Sequence, residues 1–253
     1  MAESELLYRV ENNVAYFTIN REEKRNSISG EVIRLFMQYL DKAEADEQVR
    51  VISITGAGDR AFCSGADLGG AIGGDGFSGY ANLLKRIAGF SKPTVAKVNG
   101  YCLAGGMGFM LACDIVIASD SSKFGTPEVN IGLWPMMVGA LIFRNALRKK
   151  AMEMVLLGEK LTASQAVEMG LITRAVPSDK LNEEVSDVLK TLSTKSPIGM
   201  KIGKEAYYAV ADMPFEEAID YLSRKLVEVA STQDAAEGLK AFIEKRDPVF
   251  KGK

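Results

Sequence analysis

The 253-residue chain contains no histidine. That absence removes Ser-His-Asp and Cys-His catalysis together. It removes the His-based zinc sites as well, and no metal is expected. Cysteine is scarce: Cys63, Cys102 and Cys113 are odd in number and form no Cys-x-x-Cys pair. They read as reduced, buried thiols of a cytoplasmic protein. Cys63 has no histidine to activate it as a nucleophile. Acid–base chemistry must therefore come from Asp, Glu, Lys, Tyr, Cys or the substrate itself.

Long apolar runs are missing too. The longest, Trp134 to Phe143, is too short to span a bilayer, so no membrane partner is expected. Neither sign of charge dominates, with 31 Lys and Arg against 33 Asp and Glu and a net charge of −2. No basic stripe with interleaved aromatics occurs, which excludes nucleic acid as the expected partner. The acidic start, Met1-Ala2-Glu3-Ser4-Glu5, lacks the basic-then-apolar pattern of a signal peptide. There is no Gly-Lys-Ser/Thr phosphate loop. Gly106-Met107-Gly108 is followed by Phe109, Met110 and Leu111, without the third glycine of a dinucleotide fingerprint. No internal repeat is visible.

What remains is an ordinary globule, 47% hydrophobic and 25% charged. The length suits one large α/β domain, or a core with a small appendage. Leu6 to Val10 and Val14 to Asn20 read as strands around a Glu11-Asn12-Asn13 turn. Gly30 to Asp46 reads as a helix, with Val32, Leu35, Phe36, Leu40 and Ala43 on one face. Val49 to Gly56 is a nearly continuous apolar strand, which indicates a parallel sheet covered on both faces. Gly69 to Gly79 reads as a mobile glycine-rich loop, with helix from Tyr80 to Phe90 and strand from Thr94 to Val98. Helical segments follow at Val138–Leu147, Ala151–Leu157 and Ala163–Glu168, then a last strand at Leu171–Val176. Beyond Asp179 the chain reads as helices that either cap the core or pack on another subunit.

The centre of the chain is Asn99 to Glu128. Paired glycines at Gly105 and Gly106 sit between a strand and a compact apolar segment, where the backbone can approach a ligand. The first N–H groups of a helix there suit an oxygen that gains negative charge. Glu128 lies past the next strand, at a loop position favoured by catalytic groups. Lys24, Arg25 and Asn26 are either a solvated turn or a phosphate contact.

Taken together, Asn20-Arg21 with Lys24-Arg25-Asn26, Ala61 to Leu68, Gly100 to Asp114, Phe124 to Glu128, Ala163 to Leu171 and Phe242 to Arg246 resemble the enoyl-CoA hydratase/isomerase (crotonase) family over essentially the whole chain. The resemblance implies an α/β fold: a crotonase-like spiral of repeated ββα units over residues 1–195, carrying the CoA-ester site. A C-terminal helical trimerisation region would span 196–253. It implies an acyl-CoA thioester as substrate, a homo-trimer or hexamer, and no cofactor beyond the coenzyme A of the substrate. The backbone N–H groups of Ala66 and Gly105 would form an oxyanion hole, with Glu128 as the acid–base group. Arg25 matches a contact to CoA phosphates, and Ala66, Asp67 and Leu68 match the segment beside adenine and pantetheine. Phe242 and Lys245 match a contact to a neighbouring subunit's ligand.

One departure narrows the chemistry. Family hydratases usually carry two glutamates; Glu128 matches the second, while the first is replaced by Gly108. Met136 stands where a glycine often follows proline, and with Trp134 it either lines a bulkier acyl pocket or belongs to the core. The first expectation is therefore enoyl-CoA isomerisation on one carboxylate. Hydration with Glu128 alone, or with an unplaced acid such as Asp75, is the alternative, and a CoA-ester-binding protein with little catalysis is a third.

Overall fold

A computed structural model gives the fold over residues 3–67 and 75–253, backbone only at 75 and 76. Strands β1 (Leu6–Glu11) and β2 (Val14–Ile19) form an antiparallel hairpin. Asn12 and Asn13 take φ of 50° and 65°, the left-handed pair that a two-residue turn needs to match strand twist. Helix α1 (Gly30–Ala45) is started by Ser29, whose hydroxyl accepts the Val32 N–H. All five residues expected on its inner face are buried.

Three similar units then follow in the chain. The first is β3 (Val51–Gly56), β4 (Ala61–Cys63) and α2 (Asp75–Ala88). The second is β5 (Thr94–Val98), β6 (Tyr101–Leu103) and α3 (Gly105–Leu111). The third is β7 (Ile115–Ser119), β8 (Lys123–Gly125), a 3-10 turn (Pro127–Ile131) and α4 (Met136–Asn145). Next come α5 (Arg148–Leu157), β9 (Leu161–Thr162), α6 (Ala163–Glu168), β10 (Arg174–Val176) and α7 (Leu181–Ser193). The chain closes with α8 (Pro197–Val210), α9 (Phe215–Ala230) and α10 (Gln233–Glu244).

In each unit the first strand joins a six-stranded sheet, ordered β1-β2-β3-β5-β7-β10. The second strand joins a four-stranded sheet, ordered β4-β6-β8-β9. The sequence reading contains no second sheet. Its strands are two or three residues long, too short for alternation to show. They exist through pairing of distant segments, parallel for Ala61 with Tyr101 and Cys102 with Phe124, and antiparallel for Phe124 with Leu161. Helix α2 also starts at Asp75, so Gly76 and Gly79 belong to a helix rather than to the expected loop. The rest of that loop, with Leu68, lies outside the described residues.

The six-stranded sheet is covered on both faces. One side carries the main core, in which Phe17 stacks on Phe36 (5.6 Å between centroids), and tilted contacts join Phe36 to Phe109 (5.2 Å) and Phe109 to Tyr80 (5.7 Å). This aromatic chain ties β2, α1, α3 and α2 together behind the short sheet. On the other side, α7 packs Leu181, Val185 and Leu189 against Val51, Val95 and Ile117.

Helix α8 is held to the core by the Lys204–Asp114 ion pair at 2.5 Å. Buried Asp234 at the start of α10 accepts the N–H groups of Lys251 and Gly252, pinning the chain end. Helix α9 differs: it is amphipathic yet buries none of its residues within the chain. Among the described residues, no helix is long and apolar enough to cross a membrane.

Candidate active site

Three loops at the ends of β4, β6 and β8 converge. After β4, Ile28 donates to the Gly65 carbonyl (2.8 Å) and accepts from the Asp67 N–H (2.9 Å). This parallel bridge uses the groups on either side of Ala66 and turns Ala66's own N–H to the opposite edge. Gly65 has φ +100°, and a Cβ there would lie 2.6 Å from the Ala104 Cβ and 3.2 Å from the Gly105 nitrogen. The Ala66 strand thus crosses directly over the start of α3.

After β6, Ala104 takes φ 51° and ψ −126°, a conformation that costs a residue with a Cβ roughly 1–3 kcal/mol. Its N–H donates to the Gly125 carbonyl and its carbonyl accepts from Met107, which hold the bend in place. The bend starts α3 with no side-chain cap, so the Gly105 N–H is one of the helix donors without an intrahelical partner. Gly106 is required for a packing reason: its Cβ would stand 2.2 Å from the Cys63 carbonyl oxygen. The structure therefore brings the Ala66 segment and Gly105 together.

After β8, Glu128 lies on the 3-10 turn, with its carbonyl accepting the Leu133 N–H at 3.0 Å. Among the described residues, its Oε2 is buried without a hydrogen-bond partner. Burial raises the Glu128 carboxyl above its ordinary value, opposed in part by its own backbone N–H. A carboxylate in that condition takes up a proton more readily than a surface one.

Gly108 faces a filled space. A Cβ there would be 2.1 Å from the Tyr80 hydroxyl oxygen and 3.1 and 3.2 Å from the two Leu84 methyls. The Tyr80 hydroxyl donates to the Gly105 carbonyl at 2.5 Å. A glutamate at 108 has no room while Tyr80 stands there.

The remaining expected site residues are spread around this centre. Arg25 is exposed, in a left-handed turn, with its carbonyl accepting the Ser64 N–H. The Asp67 carboxylate sits 2.7 Å from Arg21 and 3.6 Å from Lys24. Trp134 is 46% exposed and Met136 73% exposed, which overturns the core reading for this pair. Phe242 is 83% exposed and Lys245 caps the end of α10 in a left-handed conformation. The Leu68 position and the Asp75 side chain lie outside the described residues.

Asn26 belongs to the frame rather than to a phosphate contact. It is fully buried and accepts the Arg21 N–H while donating to the carbonyls of Ala57 and Ala61. Cys63 is buried and its thiol is pushed up to about 12, which removes it as a nucleophile. A groove of about 410 Å³ lined by Arg9, Tyr16, Lys97 and Asn182 lies beneath α7 and contains none of these residues.

Sequence reasoning missed Tyr80, Arg21, Gly65 and Ala104. Tyr80 shares a helical face with Leu83, Leu84 and Ile87, all buried, so its spacing announces only core. Arg21 is 4% exposed and grips the Ser27 carbonyl, Glu5 and Asp67, a partnership set by folding. The one available signal was the Gly65 beside Ala66.

Known proteins are similar to this chain in sequence and fold. The family model described as enoyl-CoA hydratase/isomerase matches residues 9–253. A 2,3-dehydroadipyl-CoA hydratase of Escherichia coli (strain K12) is 32% identical, over 99% of this chain and 100% of that protein. A carnitinyl-CoA dehydratase of the same strain is 34% identical, again over 99% and 100%. Among solved structures, an enoyl-CoA hydratase from Bacillus anthracis superposes with a TM-score of 0.94 at 28% identity, covering 98% of this chain and 100% of that one. Human enoyl coenzyme A hydratase domain-containing protein 3 gives a TM-score of 0.93 at 28% identity, covering 97% and 100%.

Proposed function

The chain belongs to the enoyl-CoA hydratase/isomerase family, with the crotonase fold, and from that premise we propose that it shifts the double bond of an enoyl-CoA using Glu128 alone. The observation that carries this reading is Glu128 itself. It is a half-buried carboxylate with an unpartnered oxygen, and no second acid projects from position 108.

The thioester oxygen lies between the N–H groups of Ala66 and Gly105. Ionised Glu128 takes a proton from C2 of a 3-enoyl thioester, and the electron pair moves onto the carbonyl oxygen. Each fixed donor is worth about 3 kcal/mol where that charge develops. Glu128 then returns the proton to C4 as the carbonyl re-forms, leaving the 2-enoyl product. The step needs no metal, histidine or redox group. Arg25 contacts the CoA phosphates, Ala66 to Leu68 run beside the nucleotide, and Trp134 and Met136 border the acyl group. In a trimer or hexamer, Phe242 and Lys245 of one subunit approach a neighbour's ligand.

A second reading is water addition or removal. The relatives favour it by name, two being a hydratase and a dehydratase. Assays of the purified protein on 3-enoyl-CoA and 2-enoyl-CoA separate the readings. Isomerisation predicts turnover of the 3-enoyl substrate, with negligible hydration of the 2-enoyl one. Glu128→Gln keeps thioester binding and loses about 10²–10⁴-fold in kcat, because an amide accepts no proton. Hydration as fast as isomerisation establishes the second reading, and a Glu128→Gln rate near wild type removes Glu128 from both.

A further inference from the structure

We propose that Tyr80 is a positioning residue of this site, its hydroxyl filling the side-chain place of residue 108 and clamping the first turn of α3. The inference deepens the one-carboxylate reading and rests on it for its kinetic part only. Position 108 carries no side chain, yet the space beside it is occupied. The nearest atom to a Cβ at 108 is the Tyr80 hydroxyl oxygen, at 2.1 Å, and the Leu84 methyls close the rest. The same oxygen would be 3.4 Å from a Cβ on Gly105, so it stands between the two glycines of the helix's inner face.

The hydroxyl has one proton and spends it on the Gly105 carbonyl. That bond anchors the residue whose N–H is offered to the thioester oxygen. The ring behind it is fixed by its contact with Phe109, so the oxygen has little freedom to swing away. Burial, and then the nearby Cys63, Cys102 and Glu128, hold the phenol well above its usual range. Tyr80 therefore remains a neutral donor while Glu128 titrates, and it neither abstracts a proton nor delivers one to substrate. Helix α2 thus fills the place beside position 108 with a rigid, uncharged group, which disfavours any side chain there.

Tyr80→Phe keeps the ring and removes only the oxygen. The expected result on 3-enoyl-CoA is a fall in kcat of about tenfold, with KM unchanged and the acidic limb of the pH–rate profile in place. A merely structural tyrosine would leave the kcat of the folded fraction alone, and kcat within about twofold of wild type overturns the positioning role. The second arm needs no catalysis. Gly108→Ala is made in wild type and in Tyr80→Phe, and thermal unfolding is followed at equal protein concentration. With the hydroxyl gone, the closest remaining contact of the new Cβ is a Leu84 methyl at 3.1 Å. The loss in Tm from Gly108→Ala should then shrink by about 4 °C or more in the Tyr80→Phe background. Equal losses in both backgrounds overturn the placement of the hydroxyl. If wild type hydrates rather than isomerises, the one-carboxylate reading fails while the unfolding cycle still decides on Tyr80.

Discussion

Replacing Asn26 by Ala tests how the frame holds the site. Asn26 is fully buried at φ 55°. Its carboxamide makes three hydrogen bonds: from the Arg21 N–H (3.1 Å), to the Ala57 carbonyl (3.0 Å) and to the Ala61 carbonyl (2.7 Å). Each bond contributes about 1 kcal/mol net, and alanine tolerates the left-handed backbone worse than asparagine by about 1 kcal/mol. The sum is a destabilisation of about 4 kcal/mol, a large share of a typical domain's stability. Urea unfolding at fixed protein concentration measures it, with an unchanged m-value confirming comparable end states. Asn26→Gly isolates the backbone part and should lose about 1 kcal/mol less than Asn26→Ala. Because Ala61 opens β4, the strand that leads to Ala66, thioester turnover should fall along with stability. A loss for Asn26→Ala below about 1.5 kcal/mol refutes the latch.

Glu128→Gln should gain stability at neutral pH while losing turnover. The folded carboxyl is raised by burial, so ionisation favours the unfolded chain. The native advantage is complete below the unfolded carboxyl value and is lost as pH rises through the raised one. The gain in the variant should therefore vanish in acid, and a gain that persists there contradicts this sign. Arg21→Met removes a buried guanidinium from Asp67 and Glu5, which keep Lys24 and Ser29 as partners, and should cost about 1.5–3 kcal/mol, read by the same urea titration. Paired Leu226→Glu and Val227→Glu on α9 place charge on residues that are 68% and 66% exposed in the single chain. Light scattering should show the proposed trimer or hexamer splitting into smaller species, and an unchanged mass removes α9 from the proposed subunit interface.

Local chemistry was legible wherever the residues themselves decided the outcome. Asn12-Asn13 announced a turn, and the spacing of Val32, Leu35, Phe36, Leu40 and Ala43 announced a buried helical face. Gly105 was legible as the start of a helix after a strand, and Glu128 as a carboxylate on the turn after the next strand. The short sheet was not, because Cys102 pairs with Cys63 and Phe124 across long stretches of chain. The start of α2 was hidden by Gly76 and Gly79, each costing a helix about 1 kcal/mol relative to Ala, a cost that packing overrides. Position 108 shows the limit most clearly. Its glycine was read as an empty place, whereas a residue 28 positions earlier fills it.

The short sheet also works as a ruler. Strands β4, β6 and β8 are neighbours, and the segment following each carries Ala66, Gly105 or Glu128. Adjacent strands lie about 4.8 Å apart whatever side chains they bear, because backbone hydrogen bonds set the interval. In the proposed mechanism, the step from the thioester carbonyl to the proton carrier is thus graduated in units of backbone. Under the proposed mechanism, exchanging the side chain at the third mark retools the reaction while the backbone at the first two marks stays in place. A descendant of this chain can change its chemistry by altering a few side chains, while the distance over which a proton must travel stays engraved in the sheet.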